Sequence, residues 1–151
     1  MSVDSAMRTG PILRQRQAHV LHCGGARLES QASSSAVVVR LGGWVDASNL
    51  DQVTATLRRF TSMRTPLILD LSKLEFLGVS AFRALFAVAD QYGEAGVPCV
   101  MVDGPALRPY MNLGAQSRSV PVVDSAAAAL TRAACEAPRR QRVVARDRTR
   151  C

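Results

Sequence analysis

The stretch 66–82 reads Pro-Leu-Ile-Leu-Asp-Leu-Ser-Lys-Leu-Glu-Phe-Leu-Gly-Val-Ser-Ala-Phe, and it narrows the folds open to this chain more than any other segment. Its apolar run at 67–71 is bounded by Pro66 and a polar turn at 72–75, the pattern of a buried strand. Phe76 and Leu77 then lead straight into an amphipathic helix that starts at residues 78–81. A strand of this kind delivers the chain to an exposed helix N-terminus, where amide hydrogens lack partners and the dipole favours negative charge. The short hydroxyl at that spot is Ser80, the first candidate for a functional residue.

The flanking segments extend the same alternation. Residues 1–26 mix Gly, Pro, Gln and Arg without a period and read as a disordered arm. A first short strand is expected at 27–31 and a buried, β-branched one at 36–41, broken by Gly42 and Gly43. Ser48, with Asp51 three residues on, has the spacing of a capping box, and Leu50, Val53, Leu57 and Phe60 follow at helical intervals. The next helix, 79–92, carries Val79, Phe82, Phe86 and Ala89 along one stripe and ends at Gly93 or Gly96. A strand at 97–102 follows, then a short helix at 106–113 opened by Pro105 and closed by Gly114. A last short strand at 120–123 precedes an Ala-rich helix, capped by Asp124 or Ser125, that runs to about residue 135. The order β-β-α-β-α-β-α-β-α predicts an α/β fold with a central, mostly parallel sheet of four to five strands and about four α-helices. The first strand is free to pair antiparallel at an edge. A single domain is expected over 27–136, with a basic, disordered tail at 137–151.

Charge and motif content restrict function. The net charge is +7, but residues 138–151 carry six arginines against one aspartate, and residues 1–26 carry three against one. Residues 27–137 hold ten basic and ten acidic side chains, so the domain itself is neutral. Nucleic-acid binding is therefore expected only through the basic tail, if at all, and that tail reads as solvated. No run of about 18 apolar residues is present, so no membrane span is expected. Without a secretory signal either, a cytoplasmic protein is expected. Both histidines, His19 and His22, fall in the N-terminal arm. There is no Gly-x-Ser-x-Gly elbow, phosphate-binding loop or paired acidic cluster, so an enzyme is not expected and no cofactor is called for. His19-x-x-His22-Cys23 has loosely metal-like spacing but would need the arm to fold onto the domain, so no metal site is assigned. The four cysteines show no paired spacing, and Cys99 reads as a small hydrophobe in a buried strand.

Three segments together resemble a STAS domain, the family named for sulphate transporters and anti-sigma-factor antagonists. Leu41-Gly-Gly-Trp-Val-Asp-Ala resembles its strand-to-helix signature, with Asp46 on the acidic position. Leu69-Asp-Leu-Ser-Lys-Leu-Glu-Phe-Leu resembles its central segment. Ala106-Leu-Arg-Pro-Tyr-Met-Asn-Leu-Gly, with Val120-Pro-Val-Val-Asp-Ser and the Ala-rich helix, resembles its C-terminal end. The resemblance implies the STAS fold and a partner-switching role: an anti-sigma factor antagonist (anti-anti-sigma factor) binds an anti-sigma factor kinase of the histidine-kinase-like ATPase class and releases a sigma factor, regulating transcription in bacteria. The family's antagonists carry Asp-Ser-Ser-Gly or Asp-Ser-Thr-Gly at the central helix start, and the first Ser accepts a phosphate. Here the tetrapeptide is Gly78-Val79-Ser80-Ala81, so Val79 holds the acceptor position, and two outcomes are open: Ser80 takes over as the candidate phosphoacceptor, or the protein is a constitutive binder. The implied partner-binding set is Asp46, Gly78, Val79, Ser80, Ala81 and Arg83. Ser80 has a competing reading as a helix cap, and Trp44 reads equally as core or as an interface anchor. A non-phosphorylated STAS subunit of a lipid-transport ATPase complex is the alternative, and self-association is left open.

Overall fold

The computed structural model describes residues 18–112 and 120–141, the side chains of 136–141 excepted. The chain begins with three strands, β1 (His19–Cys23), β2 (Ala26–Ala32) and β3 (Val37–Val45). Helix α1 (Leu50–Arg59) follows and is extended by a 3-10 turn at Phe60–Met63. Strands β4 (Leu67–Asp70) and β5 (Leu74–Leu77) then lead into α2 (Val79–Glu94). The described part closes with β6 (Cys99–Val102), α3 (Arg108–Asn112), β7 (Val122–Val123) and α4 (Ala126–Gln141).

All seven strands join one mixed sheet in the order β1-β2-β3-β4-β6-β7, with β5 paired beside the far end of β3. The first three strands are antiparallel neighbours, and β3, β4, β6 and β7 run parallel. This is the expected α/β fold with a mostly parallel centre and an antiparallel edge. Alternation along the strands explains why the central runs are continuously apolar. Val37, Val39, Leu41, Leu67 and Leu69 face α1 and α2 in the main core. Val38, Ile68, Val100 and Val102 face Ala129 and Ala133 of α4 in a smaller one. Both faces of the sheet centre are thus covered, which the sequence left undecided. Val53 and Leu57 of α1 and Leu85, Val88 and Tyr92 of α2 are buried between the layers. Each leucine or valine so buried stabilises the fold by about 1.5–3 kcal/mol. The Tyr92 hydroxyl donates to the Leu57 carbonyl at 2.7 Å and ties the two helices together.

Several boundaries differ from expectation. His19–Cys23, assigned to the disordered arm over 1–26, is a paired edge strand, so the ordered domain starts earlier than residue 27. His19 and His22 stand on opposite faces of that strand, since side chains alternate along it, and cannot converge on a metal. The polar turn and apolar pair at 72–77 contain the additional strand β5. Helix α3 starts at Arg108 and not at the expected residue 106, and its expected end at residue 113 and Gly114 lie outside the described residues. Gly96, with φ +77°, is the left-handed residue after α2, whereas Gly93 stays within the helix. The Ser125 hydroxyl accepts from the Ala128 amide and caps α4, which continues past residue 136 to Gln141. The remainder of the tail lies outside the described residues.

Burial pushes the Cys99 thiol up from 9.0 to about 12, with the Asp90 charge acting in the same direction. Burial likewise raises Tyr92 from 10.0 to about 12. Above pH 9 the unfolded chain gives up a thiol proton that the folded chain keeps, so stability falls as the pH rises from 9 towards 12. Urea denaturation across this window should show that fall, and Cys99→Ala should make its lower part, where Tyr92 does not yet titrate, less steep, leaving the contribution of Cys23, whose thiol burial also raises. The native thiol should also resist iodoacetamide at pH 8.

Candidate functional site

One corner of the molecule is assembled around the side chain of Asn49, which is only 2% exposed. Its Nδ2 donates to the carbonyls of Cys23 and Trp44, each at 3.0 Å. Its Oδ1 accepts from the Asp46 amide at 2.9 Å. The end of β1, the end of β3 and the turn into α1 are therefore locked by one buried amide. The expected capping box is not formed: Asn49, not Ser48, is the N-cap of α1 and makes no side-chain cap bond. Ser48 turns back instead, and its amide and hydroxyl donate to Asp46 Oδ1 at 2.9 and 2.6 Å. Asp46 thus organises the loop as an Asx turn.

The second half of the corner comes from β5. Gly43 pairs with Leu74 and Trp44 with Phe76, so Glu75 is an extra residue and the strand bulges there. The bulge turns two successive side chains outward, Glu75 and Phe76, while Leu74 and Leu77 remain buried. The Gly78 amide donates to the Val45 carbonyl at 2.9 Å and brings the start of α2 beside Asp46. A Cβ on Gly78 would lie 3.4 Å from the Asp46 Cβ, so the loop and the helix start are in contact. Helix α2 has no acidic residue in its first turn and no side-chain cap. Asp46 supplies from another loop the negative charge that this helix start favours.

The structure therefore brings Asp46, Gly78, Val79 and Ser80 together, with Arg83 exposed one turn further along α2. Val79 is 58% exposed. Ser80 is exposed as well, and because Gly78 occupies the N-cap, the reading of Ser80 as a cap does not hold. Ala81 departs from the expected set: it is fully buried in the core and offers no surface to a partner. Among the described residues, no group of three His, Cys, Asp or Glu is placed to hold a metal ion.

Besides Asn49, two contributors were not singled out in the sequence, Phe76 and Tyr110. Phe76, 54% exposed, is the cross-strand partner of Trp44, which is 40% exposed, so two exposed aromatic residues share a register position where β3 and β5 pair. The Trp44 indole lies against Gly25, where a Cβ would collide with the ring. Trp44 is thus a surface residue held flat on the β1–β2 turn. The Tyr110 hydroxyl donates to the Leu77 carbonyl at 2.7 Å, and its ring stacks on Phe82 with centroids 4.4 Å apart. That pair clamps the approach to α2 from the α3 side. A bulge in a four-residue strand and a contact 33 residues distant in sequence leave no local signal.

Comparison with known proteins gives a consistent result. The model of the STAS domain family matches residues 27–129. Osmosensory protein A of Mycobacterium tuberculosis is 32% identical over 84 residues, which span 56% of this chain and 53% of that protein. The chain thus matches about half the length of that relative. The crystal structure of an anti-sigma factor antagonist from Mycobacterium paratuberculosis superposes with a TM-score of 0.62 at 22% identity, covering 78% of this chain and 94% of that one. The anti-sigma factor antagonist SpoIIAA in its unphosphorylated form gives a TM-score of 0.55 at 14% identity, over 70% of this chain and 94% of that one. These likenesses establish a shared fold.

Asn49→Ala leaves two carbonyls and one amide without their partner and should lower stability by about 3 kcal/mol in urea denaturation. Because Trp44 is the sole tryptophan, its fluorescence should report loosening of this corner in the native baseline, before global unfolding.

Proposed function

The chain belongs to the STAS domain family, and from that premise we propose that it is a regulatory, non-catalytic binding module of the anti-sigma factor antagonist type. Its partner on this reading is an anti-sigma factor kinase of the histidine-kinase-like ATPase class, and binding releases a sigma factor in the cytoplasm. The observation that carries the reading is the joint presentation of Asp46, Val79 and Ser80 at one exposed corner, bordered by Trp44 and Phe76. The antagonist descriptions of the similar structures support it over the ATPase-complex alternative.

The chemistry of the corner supports a grip built on apolar contact with one flanking carboxylate. Val79, Phe76 and Trp44 provide anchors of the kind that dominate interfaces, and Asp46 provides the charge that orients a basic partner group. Val79 cannot be phosphorylated, so the switch passes to Ser80, whose exposed hydroxyl lies in the first turn of α2. A phosphate there adds about −1.5 to −2 charges at neutral pH. The helix start tolerates that charge, while a partner packed against it does not.

Titration of the kinase against variants, by calorimetry, tests this reading. Asp46→Arg should weaken binding by at least about 2 kcal/mol, roughly 30-fold, and Asp46→Asn, which keeps the oxygen that accepts from Ser48, separates loss of the charge from loss of the turn. Ser80→Glu should weaken binding at least tenfold, and Val79→Ser should create a second acceptor for the same kinase. Unchanged affinity for Asp46→Arg would move the interface elsewhere.

A further inference from the structure

Six large apolar side chains are exposed among the described residues, and they fall into two groups. Trp44, Phe76 and Val79 belong to the corner described above. Val20, Leu21 and Met63 lie at the opposite end of α1, along a half-open groove between that helix and strand β1. Among the described residues β1 has a neighbour on one side only, so it is an edge of the sheet. Edge strands are ordinarily blunted by charge, proline or a bulge, because their free N–H and C=O groups are a template for another strand. The sequence of β1, His-Val-Leu-His-Cys, contains no proline and no Lys, Arg, Asp or Glu. Its pairing with β2 runs from His19 to Cys23 without a bulge.

Hydrogen-bond alternation determines what such an edge can accept. The two-residue loop Gly24-Gly25 makes Cys23 and Ala26 the closing, hydrogen-bonded pair of the hairpin. Leu21–Leu28 and His19–Ser30 are then the next such pairs. The Ser30 hydroxyl, which donates to the His19 carbonyl at 3.5 Å, agrees with that direction. The N–H and C=O groups of Val20 and His22 therefore point away from β2, along the free edge. A second β1 laid antiparallel, with Leu21 opposite Leu21, meets all four: Val20 of each copy exchanges both bonds with His22 of the other. At the axis the two Leu21 side chains form a non-hydrogen-bonded pair, the closer kind, and Met63 of each copy lines the same groove.

Charge selects the same arrangement. Helix α1 starts beside Cys23, through the Asn49 bond, and ends beside His19, where Arg59 lines the groove. It carries Asp51 in its first turn and Arg58 and Arg59 in its last. A two-fold axis at Leu21 runs the α1 helices of two copies in opposite directions, so the basic end of each faces the acidic end of the other. A parallel pairing would set like ends side by side, which is unfavourable. We propose that β1 is a homodimer interface, in which a second copy adds its own β1 antiparallel about Leu21 and one sheet runs through both copies. Such an isologous contact closes on itself and removes the edge instead of propagating it. The start of α2 lies beyond β3 in the sheet order, so the contact leaves the partner-binding corner open and stands or falls independently of the proposed function.

A strand of five residues on each side is well below the roughly 20–30 residues of a standard interface, so the dimer is a weak one. Sedimentation equilibrium of the full chain from about 2 to about 400 µM should show monomer giving way to dimer, with a Kd on the order of 10–100 µM. Leu21→Lys places two like charges across the axis and should raise the Kd at least about tenfold, with the far-ultraviolet circular dichroism unchanged. Val20→Pro removes a free-edge N–H and no bond to β2, so it should abolish the dimer and leave the monomer folded. Amide exchange on the unmodified chain tests the register directly. The Val20 and His22 amides should gain protection as the concentration rises through the Kd, while those of Leu21 and Cys23 are protected throughout. If either variant fails to fold, that exchange pattern decides alone. A monomer at the highest concentration, assembly that continues beyond the dimer, a dimer unaffected by Leu21→Lys, or Val20 and His22 exchange that is independent of concentration would each overturn the proposal.

Discussion

A single buried carboxamide sets the geometry from which the rest of the functional corner follows. Asn49 takes two carbonyls and one amide from the end of β1 and the end of β3, one of these bonds buried and two partly buried, where unmet hydrogen-bonding capacity is costly. The Cys23 bond holds the β1–β2 hairpin against the end of β3, which places Gly25 under the Trp44 indole. The Asp46 bond fixes the turn on which the carboxylate is presented. The arrival of Gly78 on the Val45 carbonyl then sets α2 against that turn. Exchange of any one of these contacts for water would let the helix start and the carboxylate drift apart.

The two exposed apolar regions lie at opposite ends of α1, and the sheet explains why. Strands β3 and β5 end beside the start of α2, so the functional corner sits at the carboxyl ends of parallel strands, where open α/β sheets usually place their sites. The groove lies instead where the antiparallel edge outgrows the helix layer. Neither surface is required by the core, which is complete beneath α1, α2 and α4. Exposed valine, phenylalanine and tryptophan near an aspartate are the features on which the proposed partner-binding role rests.

Most of the fold was legible because it is written in long-period patterns. The runs at 36–41, 67–71 and 97–102 are apolar on both faces since helices cover both, and the stripe through Phe82, Phe86 and Ala89 has an unambiguous period. The edge strand was missed because its first four residues are exposed, which erases alternation, and its histidines look like arm residues. Gly24-Gly25 between two short apolar stretches was the available signal: a two-residue hairpin loop whose first glycine has φ +62°. Strand β5 was hidden by its bulge, and the cap of α1 by the competition between Ser48 and Asn49. Ser80 was found from the strand that leads into a helix start, whereas Asp46, Gly78 and Val79 were found through family resemblance. Ala81 was grouped with them by adjacency, although helical geometry turns it inward. Tyr110, Phe76 and Asn49 act through long-range contacts that a linear pattern does not encode.

The helix start of α2 is the point on which the proposed function turns: on that proposal, one added phosphate there would repel a facing protein while leaving the helix intact. The most direct measurement is the phosphate occupancy of Ser80 in two pools from the native host: the chain recovered in complex with its partner, and the free chain. The account predicts a histidine-kinase-like ATPase as the bound partner, unmodified Ser80 in the complex and phosphorylated Ser80 in the free pool. Equal occupancy in both pools, phosphate confined to the complex, or a partner of another class would contradict it.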